Sequence, residues 1–277
     1  MSAPAPKSVN DAPARREPYT WLRALGPNGL PATFSLAGND YRLLQTFKHD
    51  FFAASGLYQG SAGQVVLKMG RSAQLLGLPA AWIGRWLVRR EVRFYRQLQD
   101  LPGVPKLLGQ VSPLAFAHEF VPGHNLQRHE LVADDFFASL TDLLNTLHQR
   151  GIAYVDLEKR ENIIVGEDGK PYLIDFQISW QWPWRFGRNS WLARYLFARF
   201  ANADRYHLAK HIRRCRPDLM NMEQIEQSRR VGPLIRLHRT FFRPLTLVRR
   251  RILAHVERAR ESARQDAAGA TSSSEDE

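Results

Sequence analysis

The residues best suited to chemistry lie between Leu147 and Gln177, in the stretch LHQRGIAYVDLEKRENIIVGEDGKPYLIDFQ. Asp156 sits in a short polar loop. Asn162 follows six residues later, directly before the apolar run Ile163-Ile164-Val165. Asp175 ends a second apolar run, Tyr172-Leu173-Ile174, beyond the turn-forming Glu167-Asp168-Gly169-Lys170. Two carboxylates and an amide in this order suit phosphoryl transfer to a hydroxyl. One carboxylate must reach the acceptor, while the amide and the second carboxylate hold Mg²⁺ against the phosphates. A hairpin can bring the loop and the strand end together, which their separation along the chain could not.

Stepping outward, the chain must supply elements that position this loop. Asp134 to Arg150 reads as an amphipathic helix, with Phe137, Leu140, Leu144 and Leu147 on one side and Gly151 just past its end. Upstream, Phe51-Phe52, Leu57-Tyr58 and Val65–Met69 are short and β-rich, and Gly60-Ser61-Ala62-Gly63 has the composition of a turn between two strands. Ile83 to Gln99 has helical apolar spacing at Ile83, Leu87, Phe94 and Leu98, stopped by Leu101-Pro102-Gly103. Ala115 to Val121 reads as a strand broken by Pro122-Gly123. Beyond Trp180 the signals are helical to about Arg258, apart from Pro217, Pro233 and Pro244.

The stretch around Asp156 and Asp175 resembles the catalytic and metal-binding loops of the protein-kinase-like superfamily, HRD-L-x-x-x-N followed by DFG. Val65-Val66-Leu67-Lys68 is similar to the strand whose lysine holds the ATP α/β-phosphates, and Glu91 stands where that lysine's ion-pair partner would be. His118-Glu119-Phe120-Val121-Pro122-Gly123 resembles a hinge, which implies adenine binding by backbone groups of Glu119 and Val121. The resemblance covers roughly residues 45 to 180. It implies an α+β, bilobal protein-kinase-like fold with a β-rich N-lobe and a mostly helical C-lobe. It implies ATP and Mg²⁺ as cofactors, Asp156 as the catalytic residue, Lys68 and Glu91 at the phosphates, and Asn162 and Asp175 as metal ligands. The short, divergent form looks closer to lipopolysaccharide-core sugar kinases and RIO-type kinases than to eukaryotic-type kinases.

This sequence departs from the pattern in four places. Tyr154-Val155 replace the His-Arg before Asp156, and Gln177 replaces the glycine after Asp175-Phe176. The spacing from Asp156 to Asn162 is six residues, not the usual five, so either Asn162 or Glu161 is the metal ligand. The glycine-rich loop reduces to HDFFAASGLYQG, with Gly56 as its candidate phosphate-loop glycine. His148 reads as a complement to the dipole of the preceding helix rather than as chemistry.

Composition adds a second theme. The chain has 277 residues and a net charge of +12, but Trp180 to Arg260 holds 19 basic and five acidic residues, and the remainder nets −2. Four of the seven tryptophans, Trp180, Trp182, Trp184 and Trp191, open the same third. That Trp/Arg-rich third is either a packed helical lobe or a surface for an anionic acceptor or an anionic membrane. Nucleic acid is the weakest of these partners, because no RNA- or DNA-binding motif is visible. The late segment Leu245–Val256, with Arg249, Arg250 and Arg251 around an apolar face, supports the surface reading.

No apolar run approaches the ~18–20 residues of a bilayer span. The start of the chain does not read as a secretory leader, and the lone Cys215 forms no zinc-spaced cluster. The expected location is cytoplasmic, with peripheral attachment at the inner membrane face. Residues 1–18 read as a disordered arm and 261–277 as a disordered tail. Between them the expected kinase-like domain spans 19–260, with the N-lobe at 19–118, the hinge at 119–123 and the C-lobe at 124–260. The expected activity is an ATP-dependent kinase acting on a hydroxyl of a protein or a sugar/lipid acceptor. The alternatives are a pseudokinase scaffold, or a membrane-surface or nucleic-acid-binding module on a kinase fold.

Overall fold

A computed structural model describes residues 23–74, 79–182 and 191–229. The expected arm, the tail and the Leu245–Val256 segment lie outside the described residues, as does most of Trp180–Phe186. The chain is α+β, with a β-rich N-terminal lobe followed by a mostly helical one.

The N-terminal lobe is a six-stranded antiparallel sheet with the spatial order β1-β2-β3-β4-β6-β5. Its strands are β1 (Thr33–Leu36), β2 (Asn39–His49), β3 (Ala53–Gly60), β4 (Gly63–Gly70), β5 (Leu107–Ser112) and β6 (Ala115–Glu119). The β3–β4 turn falls on Ser61-Ala62, where the glycines predicted it. The pair Phe51-Phe52, expected as strand, forms instead the turn between β2 and β3. Strands β1 and β2 were not legible. In the eleven residues of β2 only Tyr41 is buried, so no apolar alternation marks the strand. A small core of Phe34, Tyr41, Tyr58, Val65, Leu67, Ala115 and Ala117 holds this sheet together.

Helix α1 (Ala81–Gln97) crosses between β4 and β5, two residues earlier than its apolar spacing suggested. It starts against the segment after β4, where a Cβ on Gly84 would come within 2.1 Å of the Arg71 carbonyl. Only glycine permits that approach. The buried side of α1 packs Val88, Val92, Phe94 and Tyr95 into the main core.

The second lobe begins with β7 (Gly123–Asn125) and α2 (Phe136–Gln149). Phe136, Leu140 and Leu147 of α2 are fully buried, and each such side chain contributes about 1.5–3 kcal/mol over exposure. After α2 come β8 (Ile152–Ala153), β9 (Ile163–Gly166), β10 (Pro171–Leu173) and β11 (Trp180–Gln181). Strands β9 and β10 form the expected hairpin, and β11 pairs with β8. Helix α3 (Trp191–Cys215) and the short α4 (Met222–Arg229) complete the described chain. Among the described residues, no helix is long and apolar enough to cross a membrane.

Candidate active site

Three segments meet in the cleft between the lobes. Lys68 lies in the middle of β4, paired in register with Ser55 on one side and Phe116 on the other. Its Nζ donates to Glu91 Oε1 at 2.8 Å and to Asp175 Oδ1 at 2.9 Å. Glu91 is 1% exposed, on the inner face of α1. Asp175 arrives from the second lobe, because the Ile174 N–H donates to the Asn162 carbonyl at 3.1 Å and ties the end of β10 to the Asp156 loop. Asp175 adopts a left-handed φ of 63°, which aspartate tolerates better than most residues.

The ion cluster holds two carboxylates against one ammonium. Burial alone would lower Lys68 and raise Asp175, but their mutual attraction outweighs it at both groups. The Asp175 carboxyl is held at about 2, and the Lys68 ammonium well above its ordinary value. At Glu91 burial wins over Lys68, and the carboxyl is pushed above the usual range. Lys68 thus favours the charged form of Asp175 more strongly than that of Glu91.

Asp156 and Asn162 meet across the extra residue of their loop. Asn162 Nδ2 donates to Asp156 Oδ2 at 3.0 Å, and a short 3-10 turn over Arg160–Asn162 absorbs the insertion. Asn162 is buried, while Glu161 is exposed. Lys159 Nζ also donates to Asp156 Oδ2, at 2.7 Å. Among the described residues nothing bonds Oδ1, so that oxygen is available to an acceptor. Burial raises the Asp156 carboxyl more than Lys159 lowers it.

The remaining candidates are spread along the cleft edge. The Glu119 carbonyl contacts His118 Nδ1 at 2.8 Å, and its N–H donates to the Lys106 carbonyl at 2.9 Å. The Val121 N–H has no backbone partner among the described residues. Phe47 of β2 stacks on Phe120 beside them, centroids 6.4 Å apart. Gly56 lies in mid-β3, four residues past the β2–β3 turn, paired with Thr46 and Leu67. A Cβ there would meet Leu30 at 2.6 Å and the Gln45 carbonyl at 2.9 Å, so close packing accounts for the glycine. The turn itself, Asp50-Phe51-Phe52, contains no glycine. Its Phe52 and Ala53 N–H groups donate to Asp50 Oδ1 at 2.8 and 3.0 Å, and Lys48 Nζ pairs with Asp50 Oδ2 at 3.1 Å.

Sequence reasoning missed the residues that hold the loop. Asp204 of α3 is fully buried and accepts three bonds: Tyr154 N–H at 2.8 Å, Val155 N–H at 2.8 Å, and His148 Nε2 at 3.0 Å. Val155 has φ of 71°, a costly conformation for a β-branched residue, and Asp204 is what holds it there. His148 does end a helix, but its ring is spent on Asp204 rather than on the helix carbonyls. About two turns further along α3, His211 Nε2 meets the Leu157 carbonyl at 2.7 Å and Lys210 Nζ meets Glu158 at 3.2 Å. Lys159 was also missed, and its three-residue spacing from Asp156 within the polar loop was the available signal. An aspartate inside an arginine-rich helix carried no signal.

The lobes are joined by aromatic rings. Phe176 is fully buried among Phe94, Tyr95 and Tyr154, with centroids 5.3–6.5 Å away. Tyr154, standing where the motif has histidine, donates its hydroxyl to the Ile174 carbonyl.

No family model matches the chain. It is 30% identical over 163 residues to "Serine/threonine-protein kinase C" of Synechocystis sp., covering 52% of this chain and 30% of that protein. It is 27% identical over 169 residues to "Serine/threonine-protein kinase grp" of Drosophila melanogaster, covering 54% of this chain and 32% of that protein. The matched region thus spans about a third of the length of these curated relatives. Together with the cleft, these matches relate the chain distantly, over about half its length, to the serine/threonine protein kinases.

Proposed function

We propose that the protein is an ATP-dependent phosphotransferase that moves the γ-phosphoryl group to a hydroxyl of a protein or a sugar/lipid acceptor. The observation that carries the reading is the bridge from Lys68 to both Glu91 and Asp175, formed beside a bonded Asp156–Asn162 pair. Lys68, held by Glu91, would bind the α/β-phosphates, and the hinge groups at Glu119 and Val121 would take the adenine. Asp156 would orient the acceptor through Oδ1, and Lys159 would offset negative charge beside it. The oxygens of Asp175 and Asn162 are hard donors of the type Mg²⁺ takes, so the site suits that ion. The buried Asn162 fits this role better than the exposed Glu161. When bound, Mg²⁺ would neutralise charge on the phosphates.

In this reading the kinase-like domain spans 19–260, hinged at 119–123, and the protein is cytoplasmic, at the inner membrane face when docked. Likeness to lipopolysaccharide-core sugar kinases or RIO-type kinases remains part of the proposal, as does an anionic acceptor or membrane at the Trp/Arg-rich C-lobe. A pseudokinase is the second reading. It is favoured by the β2–β3 turn, whose amides are taken by Asp50 instead of being open to phosphate. The test is labelled ATP with Mg²⁺ and cell extract, wild type beside Asp156→Asn and Asp175→Asn. Phosphotransfer lost in both variants supports the enzyme. Nucleotide-raised Tm without transfer supports the pseudokinase, and the absence of both effects would sink the enzyme reading.

A further inference from the structure

Helix α1 carries Glu91 on one face and an unusual surface on the other. At 100° per residue, Trp82, Arg85, Trp86, Arg89, Arg93 and Arg96 fall within one stripe about 100° wide, and Glu91 lies opposite it. All six are exposed, Trp82 by 67% and Trp86 by 55%. Glu91 is the only acidic residue of α1, and none stands in the first turn. Among the described residues, none of the four arginines of the stripe forms an ion pair.

This arrangement is locally unfavourable. Arg85–Arg89 and Arg89–Arg93 are like-charge pairs at i,i+4, and Arg85 sits near the positive end of the helix dipole. The helix also lacks a side-chain N-cap. No acidic side chain among the described residues pairs with that charge, which leaves the face open to an anion.

We propose that the outer face of α1 docks on an anionic lipid surface. The stripe runs over 14 residue steps of helix, roughly 21 Å, and each of its six residues is exposed. A flat surface can meet the whole stripe at once, whereas an extended strand of nucleic acid needs a groove to track. Trp82 and Trp86 gather at one end, where their amphipathic rings suit the headgroup level, and the arginines face lipid phosphates and carboxylates. Trp86 is braced by the Arg90 guanidinium, 5.4 Å from its ring centroid, and Arg90 donates to the Ser179 carbonyl. The docking face is thus tied to the segment just after Asp175. The proposal stands independently of phosphotransfer, since it concerns a face that Glu91 does not share.

The test is co-sedimentation of the full chain with vesicles of phosphatidylcholine, alone or with phosphatidylserine, at low and high salt. Salt-sensitive binding to the anionic vesicles is expected. The variant Arg85→Gln/Arg89→Gln/Arg93→Gln should lower it about fivefold per arginine, and Trp82→Phe/Trp86→Phe should lower quenching of fluorescence by brominated lipid. Should the triple variant misfold by circular dichroism, the single Arg89→Gln and the quenching measurement carry the test. Vesicle binding unchanged by these variants would assign the membrane to the basic C-terminal third and overturn the proposal. No anionic-lipid preference, or tighter α1-dependent binding to a single-stranded oligonucleotide, would overturn it equally.

Discussion

Asp204 decides the geometry around Asp156 without touching it. It accepts two consecutive amides and a histidine, two of these bonds buried and the third partly so, and an unpaired buried group costs about 1–3 kcal/mol. Asp204→Ala is expected to lower Tm, and Asp204→Asn, which keeps one acceptor oxygen, is expected to lower kcat per folded molecule, with folded protein quantified by circular dichroism. A kcat restored to the wild-type value by that normalisation would point to misfolding instead. A second prediction concerns Asp50. Asp50→Asn keeps an acceptor for Phe52 and Ala53 but releases Lys48 from its ion pair. Nucleotide binding measured by calorimetry should tighten about two- to fivefold, as expected for a partly exposed pair. Weaker binding would mean that the carboxylate itself serves the nucleotide. Neither residue was legible beforehand, since an aspartate in a helix or a turn has many bland uses.

Elements were legible where their burial is one-sided. Helix α2 displays a clean apolar face because one side meets the core, and the β9–β10 hairpin is announced by its turn residues. Strand β2 was hidden because nearly all of it is exposed or half-exposed. Helix α3 has a low periodic signal for a different reason: its buried side is largely polar, with Asp204, His207, Lys210 and His211. Phe176 joins α1, the Asp156 loop and Asp175 in one packed cluster. Phe176→Ala should therefore destabilise by about 3–5 kcal/mol, read in urea unfolding, whereas Phe176→Leu should lose much less. A small effect from the alanine variant would show the two lobes to be held elsewhere.

At the scale of the whole molecule, the Lys68 cluster links lobe closure to pH. Asp175 drops from 3.8 to about 2 on folding, against the effect of burial and because of Lys68. A depressed carboxyl stabilises the fold above its unfolded value and loses that contribution as pH falls. Roughly 2 kcal/mol should thus disappear between about pH 4 and pH 2. Urea unfolding across that window should be less steeply pH-dependent in Asp175→Asn; an unchanged slope would remove the coupling.

The sequence by itself determined the order of the chemistry-bearing residues, the hairpin between Asn162 and Asp175, and the charge asymmetry of the chain. These depend on local spacing and composition, which survive without a fold. Only the tertiary structure decided that Lys68 serves two carboxylates, that Asn162 rather than Glu161 turns inward, and that Gly56 lies in mid-strand away from the turn. It also brought Asp204 under the Asp156 loop and placed the tryptophans and arginines of α1 on one exposed face opposite Glu91. The reason is physical. Buried polar groups are placed by partners dozens of residues away, as Asp204 is by Tyr154 and Val155, and such partnerships leave no periodic trace along the chain.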